Sequence, residues 1–190
     1  DHGSMTLIAQ SEDLSDYLAE DEIIDHGHPA VRELAERLRG GNAEETAAAV
    51  FAYVRDEIGH SYDVGQWSAA YRASDVLAAG NSVGHGQAHL LTALLRAEGI
   101  PAGLCYQQLS AVHGLVGVHW PAGWVRLDPR EPSAGFATTP ADERLVYPDA
   151  PSSPVVYAAV PGDLATCLSQ AQPGVANWDY LYGDLSIAME

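Results

Sequence analysis

His113 lies in one strand-like run of the sequence and Asp128 at the end of the next. A carboxylate that accepts a hydrogen bond from imidazole holds one tautomer of the ring and stabilises the cation formed when it takes a proton. Such a pair serves to activate a nucleophile, and a helix start at Gly84 is where one would sit. Unpaired N–H groups and the positive end of the macrodipole gather there. A thiol at that point would ionise more readily, and negative charge developing on an acyl oxygen would be stabilised. A helix-borne nucleophile, a strand His and a following-strand Asp would form a triad across a helix–sheet seam. Position 84, however, is glycine and carries no nucleophile.

Each residue also has a plainer reading. His113 taken alone is an ordinary strand histidine, and Asp128 before Pro129 is a turn former. His119 shares the strand face of His113 by parity and is the fallback base, although it sits at the hairpin end. Cys105 falls inside an apolar strand and Cys167 on a late helix with no His near it in sequence, so both read as inert packing residues. Metal binding is a rival of another class. His85 and His89 are four apart on one helix face, and Asp25, His26 and His28 offer further ligands. In the zinc-protease helix a Glu base follows the first His; here Gly86 follows.

The elements that position these residues follow from period and punctuation. Residues 6–24 suit a strand or an irregular lead-in. Pro29 opens a helix, with Val31, Leu34, Ala35 and Leu38 at helical spacing and Gly40-Gly41 as the stop. Asn42 with Glu45 three on opens a second helix, whose buried stripe is Ala47, Val50, Phe51, Val54 and Ile58. Residues 60–71, with Gly65, read as loop, and Ser74 caps a short helix over 75–79 ended by Gly80. Residues 84–98 form the clearest helix, with Ala88, Leu91, Leu94, Leu95 and Ala97 recurring every three or four positions; Leu90 widens the stripe, so the helix is covered on more than one side. Gly99 and Pro101 end it. The period then changes to two: 102–108, 111–120 and 124–127 read as strands, the last two joined as an antiparallel hairpin by Pro121-Ala122-Gly123. A Pro-rich stretch, 132–154, suggests a loop over one end of the site. A helix over 161–170 and an aromatic tail with Trp178, Tyr180 and Tyr182 follow. The order of elements predicts an α+β domain.

Composition bounds the function. The 190 residues suit one domain able to bury an ordinary core. Apolar residues make up 47% and charged residues 18%, which describes a globular chain rather than a disordered one. The net charge of −17 excludes nucleic-acid binding through a broad basic surface. All nine cations are Arg. No run approaches the roughly 20 apolar residues of a membrane span. Two cysteines make no disulfide framework. Asp1-His2-Gly3-Ser4-Met5 reads as the remnant of an expression tag, leaving 6–190 as a single domain with a core over about 25–167 and a tail over 171–190. No signal peptide is visible behind the tag-like start, so the expected compartment is the cytoplasm.

Several runs of residues stand out together: His60-Ser61-Tyr62-Asp63, Arg72-Ala73-Ser74-Asp75-Val76-Leu77, Ala88-His89-Leu90-Leu91 and Leu94-Leu95-Arg96-Ala97. They continue through Gly99-Ile100-Pro101-Ala102-Gly103, Cys105-Tyr106-Gln107, His113-Gly114-Leu115 and Trp124-Val125-Arg126-Leu127-Asp128-Pro129-Arg130. On these residues the sequence resembles the transglutaminase-like superfamily, which shares its core with papain-like cysteine enzymes, and within it a branch of small bacterial transglutaminase-like domain proteins. The resemblance implies helices packed on an antiparallel sheet, with the N-terminus of the catalytic helix facing the sheet. It also implies a Cys–His–Asp triad, whose Cys falls on Gly84, His on His113 and Asp on Asp128. Gln87 stands where this branch often has a basic residue. Two accounts of Gly84 are open: a recombinant chain whose nucleophilic Cys has been replaced, in keeping with the tag-like start, or a protein that natively lacks it.

What the resemblance implies is cysteine-type acyl transfer on an amide or thioester, without a cofactor, ending in hydrolysis, amine transfer or Dieckmann-type cyclising release of a carrier-bound thioester in natural-product biosynthesis. The expected partners are a peptide, amide or acyl-thioester substrate, the last presented by a carrier protein docked on a cluster drawn from Arg72, Arg96, Arg126 and Arg130. Neither nucleic acid nor membrane is expected. The alternative is an inactive relative that binds a peptide or acyl chain, and zinc binding stands third.

Overall fold

A computed structural model describes residues 5–60, 68, 70–130 and 134–170. The tag-like start up to Ser4, the loop residues Ser61-Tyr62-Asp63 and Gly65, and the aromatic tail 171–190 lie outside the described residues.

The lead-in holds a short strand, β1 (Ile8–Ala9), and a 3-10 turn, Leu14–Leu18, that buries Tyr17. Helix α1 (Pro29–Leu38) begins with Pro at its first position while His28 Nδ1 accepts from the Ala30 N–H at 3.1 Å. Helix α2 (Ala43–Glu57) is capped by Asn42, whose side chain accepts from the Glu45 N–H at 2.8 Å. The Glu45 carboxylate reaches back to the Gly41 N–H, one residue earlier than in the usual reciprocal box. Ala47, Val50, Phe51, Val54 and Ile58 are all buried, as their spacing requires.

Strand β2 (Gly59–His60) follows, then α3 (Ala73–Ala79) and β3 (Asn81–Ser82), which pairs in parallel with β2. The expectation that Ser74 caps α3 is corrected here. Arg72 holds the cap position and Ser74 lies inside the first turn. The carboxylate of Asp25 supplies the capping acceptor from a distant part of the chain, at 3.0 Å from the Ser74 N–H and 2.5 Å from its hydroxyl. Sequence spacing cannot reveal a cap that arrives from 49 residues away.

Helix α4 (Gly84–Ala97) is buried from His85 through Arg96, which explains why its apolar pattern is broader than one stripe. Helices α1, α2 and α3 pack on one side of it and the main sheet on the other. That sheet is antiparallel in the order β4 (Ala102–Gln108), β5 (Val112–Trp120), β6 (Gly123–Leu127), the last two forming the expected hairpin. Ala102, Leu104, Tyr106, Val112, Val116 and Val118 belong to the main core with α4, whereas Cys105 and Leu115 pack with Tyr17 and Val156 in a second cluster. Alternation on the strands therefore serves two buried faces.

The Pro-rich stretch returns along the outer edge of β4. Gln108 N–H donates to Pro151 O at 2.8 Å, Ser153 N–H to Tyr106 O at 3.0 Å, and Leu104 N–H to Tyr157 O at 2.9 Å. Within this strap, β7 (Val155–Val156) pairs in parallel with β1. Helix α5 (Gly162–Gln170) then buries Leu164 and Leu168. At the C-terminal end of α4, the buried Arg96 guanidinium donates to Ala102 O (2.9 Å), Ala19 O (2.7 Å) and Ala158 O (2.6 Å), tying three separate segments together.

Candidate active site

Two glycines let the start of α4 press against its neighbours. A Cβ on Gly114 of β5 would stand 2.8 Å from His85 Nδ1, and one on Gly86 would run into the Ser82 side chain and stand 2.9 Å from Ala70 O. Only the missing side chains permit that approach. It brings Gly84, at the first position of the helix, beside the imidazole of His113. A Cβ at position 84 would lie 3.7 Å from His113 Nδ1 and 3.8 Å from its Cε1, which is ordinary contact. The N-cap residue, Val83, supplies no side-chain acceptor to this helix start.

His113 lies near the start of β5, beyond the point where β6 stops pairing: the last β6 residue, Leu127, is opposite Val116. Asp128 therefore comes just as the chain leaves the ladder. Its fully buried carboxylate accepts from His113 Nε2–H at 2.8 Å, while its other oxygen accepts from the Arg130 N–H at 3.2 Å. Nε2 donates to the carboxylate, so Nδ1 is the nitrogen that faces position 84, and in the neutral ring it carries the lone pair. The structure thus brings together all three positions expected from sequence: Gly84, His113 and Asp128. His119 stays apart, its ring packed edge-on against Trp124 at 5.0 Å.

Sequence reasoning missed two residues of this site. The Tyr147 ring stands perpendicular to that of His113, with centroids 5.5 Å apart. Gln107, paired opposite His113 in the sheet, holds Tyr147 there by donating to its carbonyl at 2.9 Å and to Ser152 Oγ at 3.2 Å. A buried amide in an otherwise apolar strand was the available signal; Tyr147, in a loop without period, gave none. Gln87 is a brace: its amide donates to Ile58 O at 2.8 Å, fastening the first turn of α4 to the end of α2.

The metal-ligand candidates disperse. His85 Nε2–H donates to Val112 O at 2.9 Å and His89 Nδ1–H to Tyr71 O at 2.8 Å. Burial lowers the first ring to about 3 and the second to about 4, so both are neutral at physiological pH. Asp25 serves α3, His26 Nε2–H donates to Leu18 O, and His28 caps α1. Among the described residues, no three His, Cys, Asp or Glu side chains converge as a metal site would need. Both cysteines are free thiols, and burial pushes that of Cys105 up to about 12.

Two of the four arginines offered for docking a carrier are buried. Arg96 is the buried carbonyl clamp, and Arg126 is buried against Glu143 at 2.8 Å. Neither can meet a partner's surface, because each is committed within the fold. Arg72 is exposed and Arg130 half-buried.

Among solved structures, a cysteine protease candidate from Cytophaga hutchinsonii matches with a TM-score of 0.53 at 17% identity, over 71% of this chain and 46% of that one. The periplasmic domain of TgpA from Pseudomonas aeruginosa matches with a TM-score of 0.49 at 22% identity, over 63% of this chain and 48% of that one. This chain spans less than half the length of either, and the first likeness, at its identity, speaks to the fold alone. The comparison with curated proteins returns no match. A helix start facing a His–Asp pair on an antiparallel sheet is the arrangement that the resemblance implied. Residues 32–129, just over half of the chain and including all three positions, match the model of the Transglutaminase-like superfamily, and the chain belongs to that superfamily.

Proposed function

We propose that this chain carries a cysteine-type acyl-transfer site in which Gly84 occupies the nucleophile's place. The observation behind this reading is the 3.7 Å between a Cβ at position 84 and His113 Nδ1, the nitrogen opposite the one bonded to Asp128. With Cys at 84, Nδ1 would accept the thiol proton and the thiolate would attack an amide or thioester carbonyl. The N–H groups of the first turn of α4, which the Val83 side chain does not cap, would face the resulting oxyanion. His113 would return the proton to the leaving group, with Asp128 stabilising the imidazolium between the two transfers. Water, an amine or a carbon nucleophile would then release the acyl group, the last giving Dieckmann-type cyclisation.

The substrate would be a peptide or an acyl thioester presented by a carrier, and the scheme calls for no cofactor. A cytoplasmic setting belongs to the same proposal; no described helix is long and apolar enough to cross a membrane. Gly84 itself favours a second reading, in which the cleft binds a peptide or acyl chain without turnover. Binding that survives His113→Ala would support it.

The test is to install Gly84→Cys and follow iodoacetamide alkylation against pH, with Cys105 and Cys167 as internal controls. Labelling near neutral pH well ahead of an ordinary exposed thiol, slowed by His113→Ala, is the expected outcome. Labelling at the ordinary rate would end the acyl-enzyme mechanism.

A further inference from the structure

We infer that, with glycine at 84, the seam between α4 and β5 accepts an external thiol as acyl acceptor, so that acyl groups pass between thiols without an acyl-enzyme. This rests on the acyl-transfer reading of the site and extends it to the chain as it stands.

Three glycines meet at the seam, and they differ in what faces them. The Cβ directions of Gly86 and Gly114 are filled by Ser82, Ala70 and His85, whereas among the described residues that of Gly84 meets only the Nδ1 and Cε1 edge of His113, at ordinary contact distance. A sulfur carried by a small thiol can stand where a Cys side chain would, facing the imidazole nitrogen that carries the lone pair in the neutral ring, with Nε2–H held by Asp128. The fold offers no substitute of its own. Cys105 is buried on the opposite face of β4 and Cys167 lies on α5, so the thiol has to come from solution. The two histidines of α4 are buried, and burial lowers their rings to about 3 and about 4, which makes them poor bases; the imidazole facing position 84 is that of His113. A thiol suits that base better than an alcohol, since its ordinary pKa of about 8.5 lies near that of imidazole, about 6.5.

The step balances without a redox partner. His113 Nδ1 takes the proton of R″–SH as sulfur attacks the carbonyl of R–CO–SR′. The C–SR′ bond breaks on collapse of the tetrahedral intermediate, and the leaving thiolate takes the proton from His113. The products are R–CO–SR″ and R′–SH.

The full chain is mixed with S-phenyl thioacetate and 2-mercaptoethanol, and S-acetyl-2-mercaptoethanol is followed by chromatography. The expected result is a rate above the protein-free reaction that saturates in 2-mercaptoethanol. It falls at least tenfold in His113→Ala and in the conservative His113→Gln, and likewise in Gly84→Val, which fills the space. Gly84→Cys should release thiophenol from S-phenyl thioacetate with no thiol added. If Gly84→Cys acts while the glycine chain adds nothing to the protein-free rate, this inference is overturned and the acyl-transfer reading stands. If neither acts, both fall. Acceleration that persists in both His113 variants also overturns it.

Discussion

The two ends of α4 are built on opposite principles. At its C-terminal end the backbone and side chains are tied off: Arg96 donates to three carbonyls, Gly99 N–H returns to Arg96 O, Ile100 N–H returns to Leu95 O, and Glu98 pairs with Arg39. At its N-terminal end the N-cap residue Val83 supplies no side-chain acceptor, small residues sit at Gly84 and Gly86, and an imidazole faces the first position. One end locks segments together and the other sets small residues against an imidazole. A single buried helix thus anchors the fold at one end and presents chemistry at the other, so damage to each end should read out differently.

The largest effect is expected at the locked end. Arg96→Ala leaves three carbonyls in the interior without their donor and should cost about 4 kcal/mol, seen as a lower urea midpoint. Arg96→Lys should fail to rescue it, because an ammonium lacks the planar fork that spans three acceptors.

Acid should act next, through the two buried histidines. His85 and His89 are neutral in the fold, at about 3 and about 4 against 6.5 when unfolded, so unfolding takes up protons below that value. Stability is fully present above pH 6.5 and lost as pH falls through 6.5 toward those lower values. Between pH 7.5 and 5.5 the pair should cost about 2.5 kcal/mol, and His89→Gln should halve that pH dependence.

The glycines sharpen the contrast within one end. Gly114→Ala drives a methyl into His85 and should destabilise by about 2 kcal/mol in thermal or urea unfolding. Among the described residues Gly84→Ala meets only ordinary contacts, and it begins the helix with a better former, so stability should stay level or rise by about 0.5 kcal/mol. If the two substitutions cost the same, the seam is not open at Gly84 and the contrast fails.

What the sequence revealed follows from the range of each interaction. The five helices and the three long strands were legible because period, caps and stops act within a few residues. His113 and Asp128 could be placed on a strand and at a strand end once the hairpin turn is read, while their selection as a pair serving position 84 came through the family pattern, since each taken alone has a plainer reading. Asp25 as the acceptor for α3, β1 paired with β7, and Tyr147 on the face of His113 were not legible. Each depends on segments brought together by packing, with no local signature. Arg96 shows the same limit from the other side: a charged residue in a helix reads as solvent-facing until three carbonyls surround it.

The strap along β4 has one more consequence. An uncovered strand presents a row of open N–H and C=O groups that templates sheet-to-sheet association between molecules. The backbone at Pro151, Ser153 and Tyr157 satisfies that row on β4, and the same stretch delivers Tyr147 to His113. Trimming it to widen the cleft for a bulkier acyl group would therefore uncover an adhesive margin as well, and self-association would set the limit on how far this site can be opened.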